Sequence, residues 1–120
     1  MIILNATVPG QPIPHSRPRV TRNGVFYPKA VTAYRRTMAQ IFALHRNTSE
    51  PHPGPVAVTI QVMGCRANAD TDNFAKGVLD ALVDARVIEG DSVRVVRRLV
   101  VDAWPNLQPS LAVVVQEVPA

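Results

Sequence analysis

"VAVTIQVMGCRANADTDNFAKGVLDALVDARVIEGDSVRVVRRLVVDAW", residues 56–104, reads as strand, loop, helix, turn and strand. Val56, Val58, Ile60 and Val62 alternate with Ala57, Thr59 and Gln61, the period-2 pattern of a half-buried strand. Beyond Gly64 the period changes. Phe74, Val78, Leu79, Leu82 and Val83 recur at helical intervals, and Asp70, Thr71 or Asp72 can cap the helix by accepting a bond from an orphan N–H. The turn "RVIEGDSV" ends it, and "VRVVRRLVVDAW" is β-prone.

Working outward, "IILNATV" is a strand ended by Pro9 and Gly10, and Gly10 to Pro28 is a loop holding four prolines. "KAVTAYRRTMAQIFALHRN" is an amphipathic helix with Tyr34, Met38, Ile41 and Phe42 on its apolar face. "LAVVVQEV" is a last strand, joined to its predecessor across "PNLQPS" and expected to pair with it antiparallel. The order β-α-β-α-β-β predicts an α/β (α+β) two-layer sandwich, a mixed four-stranded sheet with two helices on one face. With 120 residues, 47% of them hydrophobic, a single domain over 1–120 is expected. The opening residues match neither a signal peptide nor a membrane span, so the expected location is the cytoplasm. One cysteine and three scattered histidines (His15, His45, His52) give no zinc spacing, and nothing indicates an organic cofactor.

The chain carries +4 overall, unevenly divided. Residues 1–66 hold eight basic side chains against Glu50, while residues 67–120 hold five basic and eight acidic. A basic half suits a polyanion, since phosphate contacts release condensed counterions. Arg17, Arg19, Arg22 and Lys29, interleaved with Phe26 and Tyr27, have the composition of a nucleic-acid contact. Arg66 adds to this basic set. An acidic cluster in the same domain repels such a partner unless cations lie between them.

Asp70 and Asp72 precede the first turn of the second helix, one carboxylate more than a cap needs. Hard divalent cations take one or two such carboxylates together with substrate phosphate oxygens, so a third carboxylate from elsewhere would complete a phosphodiesterase site. Asp72, Lys76 and Asp80 follow at i, i+4 and i+8, a polar stripe that a merely solvated helix face also produces. Of thirteen basic residues only two are lysines, so Lys76 beside the carboxylates stands out as a compact point charge. Asp91 is the difficult member. A helix over about 72–86 is roughly 20 Å long, which leaves Asp91 at its far end.

"DTDNFAKGVLDAL" followed by "VIEGDSV" resembles the signature of the RusA family of Holliday-junction resolvases: Asp-x-Asp-Asn-x-x-Lys-x-x-x-Asp-x-Leu before an Asp-Asp-x-x-Val turn. The resemblance implies a Mg²⁺-dependent endodeoxyribonuclease, with Mn²⁺ as a substitute metal, acting as a homodimer on four-way junction DNA in recombination and repair. It makes Asp70, Asp72 and Asp91 the metal-binding catalytic carboxylates and Lys76 the basic catalytic residue beside them, with Asn73 and Asp80 in support. Two positions depart from the pattern: Gly90 replaces the first Asp of the turn, and Ala69 stands where a basic residue often precedes Asp70. The rival expectations are a non-catalytic branched-DNA-binding protein of the same fold, with the carboxylates as caps, and a small interaction protein whose arginines meet an acidic partner.

Overall fold

In the computed structural model, which describes residues 1–16 and 19–119, β4 (Val56–Met63) lies inside a four-stranded sheet. The sequence explains the position: Val56, Val58, Ile60 and Val62 are completely buried, as a central strand requires. The sheet order is β1 (Ile2–Pro9), β6 (Ser110–Glu117), β4 and β5 (Val96–Trp104). β6 runs antiparallel to both neighbours, and β5 runs parallel to β4, from Val56↔Val96 to Met63↔Trp104.

The two helices, α1 (Lys29–His45) and α2 (Thr71–Asp84), pack on each other and on the sheet. Tyr34, Met38 and Phe42 of α1 join Phe74, Val78 and Leu82 of α2 in one core with Leu4, Val8, Ile60 and Val113. A fully buried phenylalanine such as Phe42 contributes about 1.5–3 kcal/mol by leaving water. The mixed four-stranded sheet with two helices, of α+β class, is thus as the sequence predicts.

Two expectations need correction. β5 and β6 are not neighbours: β4 lies between them, and "PNLQPS" carries the chain past its end. β6 buries Leu111, Val113 and Val115, whereas β5 carries exposed Arg97 and Arg98 that suit a sheet edge. The Gly10–Pro28 loop also contains a hairpin, β2 (Arg19–Thr21) and β3 (Gly24–Phe26), pairing Thr21 with Gly24 across Arg22–Asn23. The Thr21 hydroxyl accepts the Asn23 N–H at 3.2 Å, and Gly24 turns with φ 121°. Strands of three residues are too short to leave a periodicity.

Gly64 ends β4 with φ +71°, and a Cβ there would lie 2.6 Å from both the Leu107 carbonyl oxygen and the Pro109 Cα. Its N–H donates to Trp104 O at 2.8 Å, and its carbonyl accepts from Gln11 Nε2 at 2.9 Å. Gly64→Ala combines a left-handed backbone with a clash against backbone atoms, so a loss of about 2 kcal/mol or more is expected in urea unfolding.

The Tyr34 hydroxyl is buried without a hydrogen-bond partner among the described residues. Tyr34→Phe removes that unsatisfied group and is expected to raise stability by about 1 kcal/mol. Burial also pushes the phenol's pKa above its ordinary 10.0. The folded chain keeps the proton that the unfolded chain releases, so this contribution is complete below pH 10.0 and is lost as pH rises through the folded value. Tyr34→Phe should remove that alkaline loss in a pH series of unfolding curves.

Candidate catalytic site

α2 starts where β4 ends and, as the crossover between two parallel strands, returns to where both begin. The carboxyl ends of parallel strands are where open α/β sheets place ligands, and here that end holds Asp70 and Asp72. Asp70 occupies the N-cap position with extended backbone (φ −80°, ψ 125°), but its side chain makes no capping bond. The Asp70 carbonyl accepts the Asn73 N–H at 3.2 Å. Asp72 is exposed in the first turn, and among the described residues neither carboxylate forms an ion pair. Two carboxylates at a positive helix terminus, neither spent on structure, offer hard oxygen donors of the kind a divalent cation takes.

Lys76 is exposed one turn further along α2, on the same stripe. Arg66, also exposed, lines a cleft of about 370 Å³ with Gln11, Ile13, Ala30, Ala69 and Phe74, and its carbonyl accepts the Ala69 N–H at 3.1 Å in the turn that leads to Asp70. Lys29 begins α1 and is exposed, and exposed Arg22 stands at the hairpin turn. Arg17 and the side chain of Arg19 lie outside the described residues.

Asp80 and Asn73 hold the surroundings together. The Asp80 carboxylate lies 3.8 Å from Arg35 and 3.9 Å from His15 Nδ1. Arg35 also donates to both oxygens of Asp84, at 2.6 and 2.9 Å. That hydrogen bonding holds the Arg35 pKa above its ordinary value, against the opposing effect of burial. The Asn73 carbonyl accepts the His15 N–H at 3.0 Å, and the His15 ring lies 5.4 Å from that of Tyr27. The root of the hairpin is therefore tied to the helix that carries Asp72 and Lys76. Sequence reasoning missed Arg35, His15 and Asp84 in this role, because partners 49 residues apart, as Arg35 and Asp84 are, or further still, as His15 and Asp80 are, leave no local signal.

Asp91 is not brought to Asp70 and Asp72. It is exposed in the bend before β5, past the end of α2 and at the opposite end of the sheet. The fourteen residues of α2 set that separation at about 21 Å of helix rise. Among the described residues, no three His, Cys, Asp or Glu side chains are grouped to hold a metal ion. Asp70 and Asp72 therefore stand at one end of the sheet without Asp91.

No helix among the described residues is long and apolar enough to cross a membrane. Comparison with curated proteins gives no match. A family model, Endodeoxyribonuclease RusA, matches residues 9–116, from the last residue of β1 almost to the end of β6. With the match spanning most of the sequence, both helices and the carboxylate-bearing segment included, the chain belongs to the RusA endodeoxyribonuclease family.

Proposed function

We propose that this protein is a homodimeric, Mg²⁺-dependent endonuclease that resolves four-way DNA junctions by paired symmetric nicks, serving recombination and repair in the cytoplasm. The observation that carries this reading is the pair of uncommitted carboxylates, Asp70 and Asp72, at a helix N-terminus flanked by Lys76 and Arg66. Family membership supplies the class of reaction, hydrolysis of DNA at internal phosphodiesters.

Asp70 and Asp72 would hold the cation, with Asp91 of the partner subunit as the third carboxylate. A bound divalent ion supplies Lewis acidity and lowers the pKa of water toward neutrality. Lys76 offsets charge that develops on the phosphate or on the leaving oxygen. Arg22, Lys29 and Arg66, with Arg17 and Arg19, grip the backbone of the arms, so affinity falls steeply with salt. In an isologous dimer, if one end of each chain meets the other end of its partner, the same contact occurs twice. Two identical sites then face two strands of like polarity.

Incubating the protein with a labelled four-way junction and a linear duplex, in Mg²⁺ or EDTA, tests the reading. Paired nicks in the junction with Mg²⁺ alone are expected; nicking in EDTA, or equal cutting of the duplex, overturns it. Lys76→Ala should bind the junction normally yet cleave it roughly 100-fold more slowly. A collapse of affinity with normal turnover of bound substrate would make Lys76 a binding residue instead. The absence of a three-carboxylate cluster among the described residues favours a second reading, a non-catalytic branched-DNA-binding protein. That reading requires tight junction binding without nicking at any Mg²⁺ concentration.

A further inference from the structure

We propose that Glu50 and Arg86 are positioning residues for the metal centre, fastening the loop that carries Asp91 to the proline-rich segment between α1 and β4. The inference rests on the reading above, in which Asp91 is a metal ligand, and it names what holds that carboxylate in place.

Asp91 is not held by its own neighbours. It is exposed, forms no ion pair among the described residues, and follows Gly90, where a Cβ would meet no atom within 4 Å. Ser92, Val93 and Arg94 beyond it are exposed as well. A carboxylate in such a loop is placed by the points at which the loop is anchored.

Both anchors lie on one short segment. Before Asp91, the His52 N–H donates to Val87 O at 3.0 Å, and His52 pairs with Ile88 in a parallel bridge. After it, the Val56 N–H donates to Val95 O at 2.8 Å. Val87 and Ile88 are buried, so the first anchor is set in the core. Between His52 and Val56 stand Pro53 and Pro55, each with φ locked by its ring, and Pro55 O accepts the Val118 N–H at 3.1 Å. The segment is a stiff bar that spaces the two feet of the Asp91 loop.

Arg86 occupies a position where glycine is the ordinary choice. It follows Ala85, the C-cap of α2, with φ 61°; its N–H donates to Val83 O and the Val87 N–H to Leu82 O, both at 3.0 Å, which is a Schellman termination. No other non-glycine residue among those described has a positive φ. Arginine here carries backbone strain that glycine avoids. Its guanidinium donates to Glu50 Oε2 at 3.0 Å, just ahead of His52 in the chain. With Arg86 57% and Glu50 78% exposed, such a pair adds little stability. What it adds is placement. It joins the start of the Asp91 loop to the bar at a further point, beside the bond from Arg46 Nη1 to Ala85 O at 2.6 Å.

The test uses Arg86→Asn in the full chain, because asparagine accepts the left-handed backbone and keeps the helix end while removing the cation. Glu50→Gln removes the partner charge. Each variant should keep wild-type urea unfolding and wild-type junction affinity in EDTA, yet raise the Mg²⁺ concentration for half-maximal cleavage about tenfold, as loss of support behind a metal ligand does. The double variant should shift it no further than either single one, since the two side chains act as a pair. Arg86→Lys, which keeps the charge, should stay near wild type. Amide exchange over residues 88–95 should quicken several-fold in Arg86→Asn and Glu50→Gln while α2 is unchanged. Wild-type exchange in both variants overturns the fastening, whether or not the chain cleaves DNA. Wild-type Mg²⁺ dependence in both overturns the positioning role, and a loss of junction affinity in its place makes Arg86 a phosphate contact instead. A chain whose loop loosens as described but that never nicks a junction overturns the proposed function and leaves the fastening standing.

Discussion

Asp70→Asn and Asp72→Asn are each expected to reduce Mg²⁺-dependent junction cleavage by on the order of 10³-fold or more while leaving junction binding intact. The substitution is isosteric and keeps an oxygen that can serve the helix terminus, so it isolates charge from shape. If the carboxylates were merely caps, Asn would be an equally good replacement and nothing would change. If they hold a cation, Asn offers a neutral, poorer donor and catalysis fails. Binding provides a further check with a definite sign. In EDTA the wild-type carboxylates repel the phosphates, and each Asn variant should bind the junction more tightly than wild type. Gel-shift titrations in EDTA and single-turnover cleavage in Mg²⁺ read the two effects separately. Wild-type cleavage rates in both variants would remove the carboxylates from the chemistry.

Mixing two inactive variants is expected to restore nicking. In a dimer of Asp70→Asn and Asp91→Asn chains, one site combines both defects. The other combines the intact Asp70 and Asp72 of one chain with the intact Asp91 of its partner. Random assortment makes half of the dimers mixed, each with one working site of two, so about a quarter of wild-type nicking should return. The products should be single nicks rather than resolved junctions, because the second cut has no functional site. Co-expression of the two chains under different tags, purification of the mixed dimer and a denaturing gel of both strands measure this directly. If each site were built within one chain, both sites of the mixed dimer would be defective and no nicking would appear.

The sheet and helices were legible because burial imposes a period. The alternation at Val56–Val62 and the helical spacing of Phe74, Val78 and Leu82 mark side chains that the structure buries. The neighbour order of β5 and β6 was not legible. Strands that follow each other commonly pair, and only the depth at which β4 and β6 are buried shows that β4 separates them here. Asp70, Asp72 and Lys76 could be placed because one helix carries them at fixed intervals. The distance of Asp91 follows from helix rise alone. The links from Arg35 to Asp80 and Asp84 are equally silent, since they form only after two helices meet.

The length of α2 sets more than the shape of one subunit. If each chain lends carboxylates from both ends of this helix, its fourteen residues act as a ruler between the two cutting centres. Rigid packing on the sheet prevents the ruler from stretching, so the interval between the nicks is written into the number of helical turns. Inserting one turn would move the centres apart by about 5 Å, a change the enzyme could meet only by selecting a differently opened junction.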